Sequence, residues 1–408
     1  MDTLFYQTLH PKTDEHGRYF AHCLMLFTVV SLLWGCQRTS SSDAMKTGGN
    51  HPESVVFTEK SVVTHAQGFG IEYHENYKII HIFHPFQDQP DTLSYLLLPK
   101  DVDIPAALDQ LPVIRIPVEN LFVLSTTHVA LTDALDANEV IKGVSAIQHI
   151  CDENLRQRTE AGEILEVGGE GNLNMEAILA ANPEVVMASG MQSALFRKFN
   201  VLLQANIPVL VNSEWLESTL LGRAEWIKLM GALLNKEAEA HAHFDAVVHE
   251  YERLKELAAT VNPSERKTVI NGIPYKGTWY VAGGKSYFAN LLKDAQADYH
   301  WADTEATGSL SMDFESVYPV ALEADGWFPG EFIDTREALL TKDARFADFK
   351  SVQHGNVFSN NKQMCEGGGN VYWVSGIVNP HLILADFIKI LYPELLPEYE
   401  LYYHKRLE

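Results

Sequence analysis

Residues Asn235–Val261 read NKEAEAHAHFDAVVHEYERLKELAATV, and this run decides how the rest of the chain is divided. Ala240, Phe244, Val247, Tyr251, Leu254, Ala258 and Val261 recur at alternating steps of four and three, which lays one apolar stripe along one helical face. Asn262-Pro263 ends the run, because proline disfavours helical backbone in the residue before it. The spacing predicts a long helix, a rod joining two similar lobes. His241, Asp245 and His249 have metal-ligand spacing but fall roughly opposite the apolar stripe, so we read them as solvated surface.

The 408 residues are too many for one ordinary core and suit two domains with a tether. A hydrophobic content of 46% is enough to bury sizeable cores. The formal net charge of −23 argues against a nucleic-acid partner, since phosphate recognition rests on clustered Lys and Arg. At the N-terminus, Arg18 precedes the apolar run Tyr19–Trp34, which is short for a membrane span and has the length of a signal-peptide core. Leu33-Trp34-Gly35-Cys36 resembles a bacterial lipobox, in which the cysteine is lipidated after cleavage; the alternative is an uncleaved anchor helix. Residues 1–17 are long and mixed in charge for such a signal, which points to a later start. Residues 37–52 read as a flexible tether.

With Cys23 removed and Cys36 lipidated, Cys151 and Cys365 remain, one on each side of the rod, in an oxidising compartment. We expect them to stay unpaired, because a bridge between lobes would hinder a closing clamp.

Residues 53–98 contain β-rich runs separated by polar turns and predict an antiparallel extension. His81 and His84, three apart in a strand, would point to opposite faces and are poor partners for one metal. From Arg115 short apolar strands alternate with helices, the pattern of α/β layering around a parallel sheet. Strands are expected at 121–124, 141–144, 164–167, 184–187 and 207–211, and helices at 127–135, 175–181, 192–204 and 217–234. Beyond the rod a second set follows: strands 268–271, 278–281, 326–328 and 356–358, and helices 287–294, 314–322 and 381–391. The two sets echo each other. Leu173-Asn-Met-Glu176-Ala-Ile178 leads into Glu184-Val-Val-Met187, as Met312-Asp-Phe-Glu315-Ser-Val317 leads into Asp325-Gly-Trp-Phe328.

Four stretches carry a family resemblance: 123–130 (VLSTTHVA), 172–186 (NLNMEAILAANPEVV), 206–211 (NIPVLV) and the rod. Together they resemble the substrate-binding component of ABC importers for iron(III) complexes and cobalamin. The resemblance implies an α/β protein of two Rossmann-like lobes joined by one long helix, similar to class III periplasmic binding proteins, with the antiparallel β extension added. The implied domains are a lipoprotein signal peptide (1–36), tether (37–52), N-terminal lobe with extension (53–234), linker helix (235–262), C-terminal lobe (263–395) and C-terminal tail (396–408). It further implies a monomeric periplasmic lipoprotein, held to the membrane through Cys36, that serves a permease dimer. In the family a glutamate on each lobe docks onto permease arginines, and Glu176 and Glu315 match that pattern.

The resemblance also places a ligand in the cleft between lobes, met by loops at strand ends. The stretch Ile273–Tyr287 is the most aromatic of these loops and supplies Tyr275, Lys276 and Trp279. Trp215 follows a first-lobe strand, and Tyr372-Trp373 follows the loop Gly367-Gly-Gly-Asn370. Thr127, His128 and Gln192 sit at equivalent cleft edges. Aromatic faces and a lysine suit a flat or chelated, partly anionic ligand: a ferric siderophore, haem or a corrinoid. No resident cofactor is expected. The runner-up is a free-metal-binding protein, for which no converging set of ligands is visible. An enzyme is a third reading, but the sequence has no G-x-S-x-G elbow, no phosphate loop and no G-x-G-x-x-G in a strand-to-helix setting.

Overall fold

A computed structural model of the chain describes residues 57–408, except 170, 191, 331 and 332. The expected signal segment, Cys23, the lipidation site Cys36 and the tether lie outside the described residues. Among the described residues no helix is long and apolar enough to cross a membrane.

The first sheet has the order β1 (Phe69–Tyr73), β2 (Lys78–Phe83), β3 (Thr92–Pro99) and β4 (Val113–Ile116). It is antiparallel through β3, as the sequence predicts, and β4 joins β3 in parallel. Alternation follows: β5 (Leu121–Val123), α1 (Thr126–Asp133), β6 (Ile141–Val144), α2 (Glu153–Glu160), β7 (Leu165–Glu166), α3 (Met175–Ala181), β8 (Val185–Ser189), α4 (Ser193–Phe196), α5 (Asn200–Gln204) and β9 (Val209–Asn212). These strands form a parallel sheet in the order β7-β6-β5-β8-β9. Strands β5 and β9 are buried at every residue, because helices cover both faces of a parallel sheet.

Helices α6 (Leu220–Ala224) and α7 (Ile227–Leu234) lead into α8 (Glu237–Ala258), the predicted rod. Beyond it come β10 (Thr268–Asn271), β11 (Pro274–Tyr275), β12 (Thr278–Ala282), α9 (Tyr287–Asp294), β13 (Asp298–Tyr299), β14 (Ser309–Asp313), α10 (Phe314–Glu323) and β15 (Gly326–Phe328). The chain ends with α11 (Arg336–Lys342), α12 (Lys350–Gln353), β16 (Phe358–Ser359), α13 (Val371–Ser375), α14 (Pro380–Leu391) and β17 (Lys405–Arg406). Here a parallel sheet, β13-β10-β15, stands beside an antiparallel one, β11-β12-β14, and β16 pairs with β17.

The apolar stripe of α8 serves two cores. Ala240 and Phe244 belong to the core around β5 and β6, whereas Val247, Tyr251, Leu254 and Ala258 belong to the core around β10 and β15. At the α7–α8 crossing Gly231 meets Ala240 so closely that a Cβ at 231 would lie 2.8 Å from the alanine methyl. No larger residue fits at that crossing without moving a helix.

Two predicted helices are interrupted. The run 192–204 is divided into α4, a 3-10 turn and α5. The run from 217 begins only at Leu220, with Thr219 as its cap, because Glu217 is engaged elsewhere. Its carboxylate accepts the N–H groups of Gln67 and Gly68 and the Trp226 indole N–H. Glu225, fully buried, likewise accepts from the backbone of Thr64 (2.8 Å), His65 (2.6 Å) and Ala66 (2.7 Å) and from Lys228. Lys78 of β2 donates to Glu237, to Asn235 and to the Ala232 carbonyl. Ion pairs and charge-assisted hydrogen bonds thus seal the first sheet onto α6, α7 and the start of α8.

One expectation is corrected. Cys151 and Cys365 form a disulfide, with Cα atoms 5.3 Å apart. The reason is that the segment around Cys365 already lies on the N-terminal half. Val374, Ile377 and Val378 pack into the first core, and a Cβ at Gly367 or Gly369 would lie 2.0 or 2.2 Å from the carbonyls of Gln148 and His149. The bridge therefore joins two surfaces already in contact. Residues 396–408, expected as a C-terminal tail, pack on the second half. Tyr403 and Leu407 enter the second core, and Asp386 of α14 accepts the N–H groups of Tyr402, Tyr403 and His404.

The internal echo is structural. Asn174 and Asp313 cap α3 and α10 through bonds to Ala177 N (3.0 Å) and Ser316 N (2.6 Å), which places Glu176 and Glu315 at equivalent positions in each first turn. Glu184 and Asp325, just before β8 and β15, accept backbone N–H groups at the start of the neighbouring strands, from Asn120 and Thr268.

Burial alone would raise the Glu225 carboxyl, but Lys228 and the amides of Ala66, His65 and Thr64 hold it below the usual range. A depressed acid stabilises the fold above its unfolded value near about 4.3, and that contribution is lost as pH falls through the folded value. Urea unfolding across pH 3–7 should show this loss in the wild type. In Glu225→Gln stability should be lower at pH 7 and its acid limb flatter.

Candidate ligand-binding cleft

In both parallel sheets a central strand, β5 or β10, is followed by strands laid down on its two sides, and such switch points leave a crevice outside the carboxyl ends. At the C-terminal sheet this crevice is a cavity of about 360 Å³, walled by Asn271 at the end of β10, Ala282 at the end of β12 and Phe328 of β15. The N-terminal half closes it with Gln87, Trp215 and Glu217. At the other sheet an apolar cavity of about 260 Å³ lies by Leu124 and Ser189. A wider trough of about 1190 Å³ adjoins the first cavity through Leu216, Glu217 and Thr307, and runs past α9 to the first residues of β10. The 360 Å³ cavity is the candidate site, because side chains from both halves converge there at strand carboxyl ends.

Of the residues expected to bind ligand, Trp215, Tyr372 and Trp373 line this cavity together. Trp215 is fixed by its indole N–H, which donates to the Gly190 carbonyl at 2.9 Å. Tyr372 is buried beneath, while Trp373 stands edge-on to it, 39% exposed and free to meet a ligand face. Gln192 lines the other, apolar cavity. Thr127 stays beside the α1 cap, its hydroxyl 3.0 Å from that of Ser125.

Four further expected residues lie away from this cavity. His128 is 1% exposed inside the first core, where burial pushes its imidazole down to about 3 despite a hydrogen bond to the Met187 backbone. It is buried because α1 is packed nearly all round, with every residue from His128 to Thr132 buried. Trp279 is fully buried. It donates to the Asn271 carbonyl at 3.0 Å and packs among Phe314, Trp327, Phe346 and Phe349. Tyr275 and Lys276 form the tip of the β11–β12 hairpin, where Lys276 (φ 51°) and Gly277 (φ 85°) make the tight turn. That tip is at the opposite end of β12 from Ala282, roughly 13 Å away along the strand, and Lys276 lies instead over the Tyr275 ring.

The lining therefore differs from the one expected. It has aromatic faces, neutral hydrogen-bonding groups and the Glu217 carboxylate, and no Lys or Arg among the described residues. The nearby Arg223 is matched by Glu214, to which its Nε and Nη2 donate at 2.9 and 2.8 Å. Burial raises the phenols of Tyr287 and Tyr372, so both remain protonated. Sequence reading missed Gln87, Asn271, Phe328 and His404. Asn271 and Phe328 could have been found as the last residues of predicted strands, whereas Gln87 and His404 carry no local signal.

Residues 122–364 match the family of periplasmic binding proteins. An uncharacterized lipoprotein of Methanocaldococcus jannaschii is 29% identical over 317 residues, 74% of this chain and 73% of its own length. Among solved structures, the molybdate periplasmic binding protein of Haemophilus influenzae aligns at TM-score 0.54 and 18% identity, covering 74% of this chain and 94% of that one. A possible iron-binding (periplasmic solute-binding) protein of Staphylococcus epidermidis aligns at 0.53 and 16%, covering 68% and 99%. A periplasmic heme binding protein of Pseudomonas aeruginosa aligns at 0.51 and 17%, covering 68% and 93%. These structures share the fold. With well over half its length matched, and with a cavity at the switch point of its second parallel sheet, the chain belongs to the periplasmic binding protein family.

Proposed function

We propose that this periplasmic binding protein captures a metal complex in the 360 Å³ cavity and delivers it to the permease dimer of an ABC importer. The observation that carries this reading is the convergence of Trp215 from one half and Tyr372-Trp373 from the other on one crevice. Two ring systems facing a cavity suit a flat or chelated ligand, which they hold by stacking. A lining without Lys or Arg favours a neutral or cationic complex over an anionic one. Of the ferric siderophore, haem and corrinoid classes, those compact enough for the cavity fit directly, and a larger one would extend into the adjoining trough. A bare metal ion is the second reading; among the described residues no group of three or more His, Cys, Asp or Glu is placed to hold one.

Glu176 and Glu315 are both exposed, each in the first turn of the equivalent helix, and support docking onto arginines of a two-fold permease. Lipidation of Cys36 would hold the monomeric protein at the membrane.

Binding is checked by tryptophan fluorescence with ferric siderophores, haemin and cobalamin, corrected for inner-filter absorption. Saturable quenching by one class is expected, weakened about fivefold or more in Trp215→Ala and Trp373→Ala. Trp279→Ala should instead destabilise the fold by about 3–5 kcal/mol in urea unfolding and leave the affinity of the folded fraction near wild type. Reversing both docking charges, Glu176→Lys with Glu315→Lys, should abolish uptake in cells while ligand affinity is unchanged; surviving uptake would refute the docking assignment.

A further inference from the structure

The residue before β17, His404, lies in the wall of the 360 Å³ cavity, although it belongs to the last five residues of the chain. Its Nδ1 donates to Asp386 Oδ2 at 2.9 Å. Asp386 is fully buried and also accepts the Tyr399 hydroxyl and the N–H groups of Tyr402, Tyr403 and His404. A carboxylate that only accepts makes Nδ1 a protonated nitrogen, which fixes the tautomer of a neutral ring with its lone pair on Nε2. The imidazole is held nearly edge-on by Phe328, Phe387 and Tyr372, at centroid distances of 5.9, 5.2 and 5.5 Å.

Nε2 has no hydrogen-bond partner among the described residues. It is also not sealed off, unlike the buried unpartnered Nδ1 atoms of His128 and His381. His404 as a whole is 3% exposed and lines the cavity. An imidazole anchored through one nitrogen by a carboxylate, with the other nitrogen facing a ligand space, is how proteins orient a metal-binding histidine. Its competitors in the lining are weaker. The Tyr287 and Tyr372 phenols remain protonated, and the Glu217 carboxylate is occupied by two backbone N–H groups and the Trp226 indole.

We propose that His404 Nε2 makes one coordinate bond to the metal of the bound complex. This inference rests on the reading that the cargo is a metal complex, and names its chemistry. The lone pair displaces a water or another weakly held neutral ligand, which leaves with its own electron pair, and no oxidation state changes. The cargo is then a chelate that keeps one exchangeable coordination position on a metal that accepts imidazole, such as iron, cobalt, nickel or copper. His404 lies outside residues 122–364, the stretch that matches the family.

The test uses the full chain in detergent and copper(II)–diethylenetriamine, a cationic chelate with one exchangeable equatorial position. Wild type is compared with His404→Asn, whose amide N–H can still donate to Asp386 and whose fold is checked by thermal unfolding. Wild type should bind one equivalent at least about tenfold more tightly, with electron paramagnetic resonance showing a fourth nitrogen on copper. The triethylenetetramine complex, whose four nitrogens fill the plane, should not distinguish the two proteins. Equal binding of the first probe by wild type and variant would overturn the proposal. The fluorescence panel run on both proteins separates it from the wider reading. A chelate bound equally by both overturns coordination by His404 and keeps a metal-complex cargo. A wild type that takes the copper probe at His404 but no member of the panel supports the coordinating site and removes that cargo.

Discussion

One apolar stripe on α8 is shared between two cores, and the remaining architecture depends on it. Phe244 is held in the first core and Val247 in the second, only three residues apart. The two parallel sheets cannot separate without stripping apolar surface from one end of a single rigid helix. At about 25 cal/mol per Å² of apolar area, exposing several such side chains opposes wide opening. The Cys151–Cys365 bridge and the packing of Val374–Val378 on the first core act in the same direction. A ligand therefore meets walls that are already in place, and little of its binding energy goes into assembling them.

The second constraint is electrostatic. Residues 64–68 carry backbone N–H groups that no strand satisfies, and Glu217 and Glu225, on either side of α6, accept them. Lys78 and Glu237 make a further buried pair. These contacts tie the N-terminal sheet to the α6–α8 region, and with it the turn that carries Gln87 to the cavity. Both that turn and His404, just before β17, fall outside residues 122–364. Residues 122–364 thus supply part of the crevice, and residues outside that stretch supply the rest of its wall. Proteins of one fold can differ in ligand, since function resides in the site and not in the fold.

Most of the secondary structure was legible in the sequence. Periodicity of three and four marked α8, buried β-branched runs marked β5, β8 and β10, and the paired Glu176 and Glu315 motifs marked equivalent helix starts. These are local signals, carried by residues within one or two turns of each other. The breaks at 197–199 and 217–219 were not legible. At the second of these a side chain satisfies backbone 150 residues away.

The sequence by itself determined an α/β chain organised about one long helix, with an antiparallel extension and duplicated helix starts, because hydrophobic spacing acts over a few residues. Only the tertiary structure decided which aromatic rings face the ligand. The register of β12 against β14 turns Trp279 into the core and leaves Tyr280 exposed. It also decided that Cys151 meets Cys365 across 214 residues and that His404 reaches the cavity from the chain end. Such placements depend on contacts between segments far apart in the chain, and nothing in the composition or spacing of either segment names its partner.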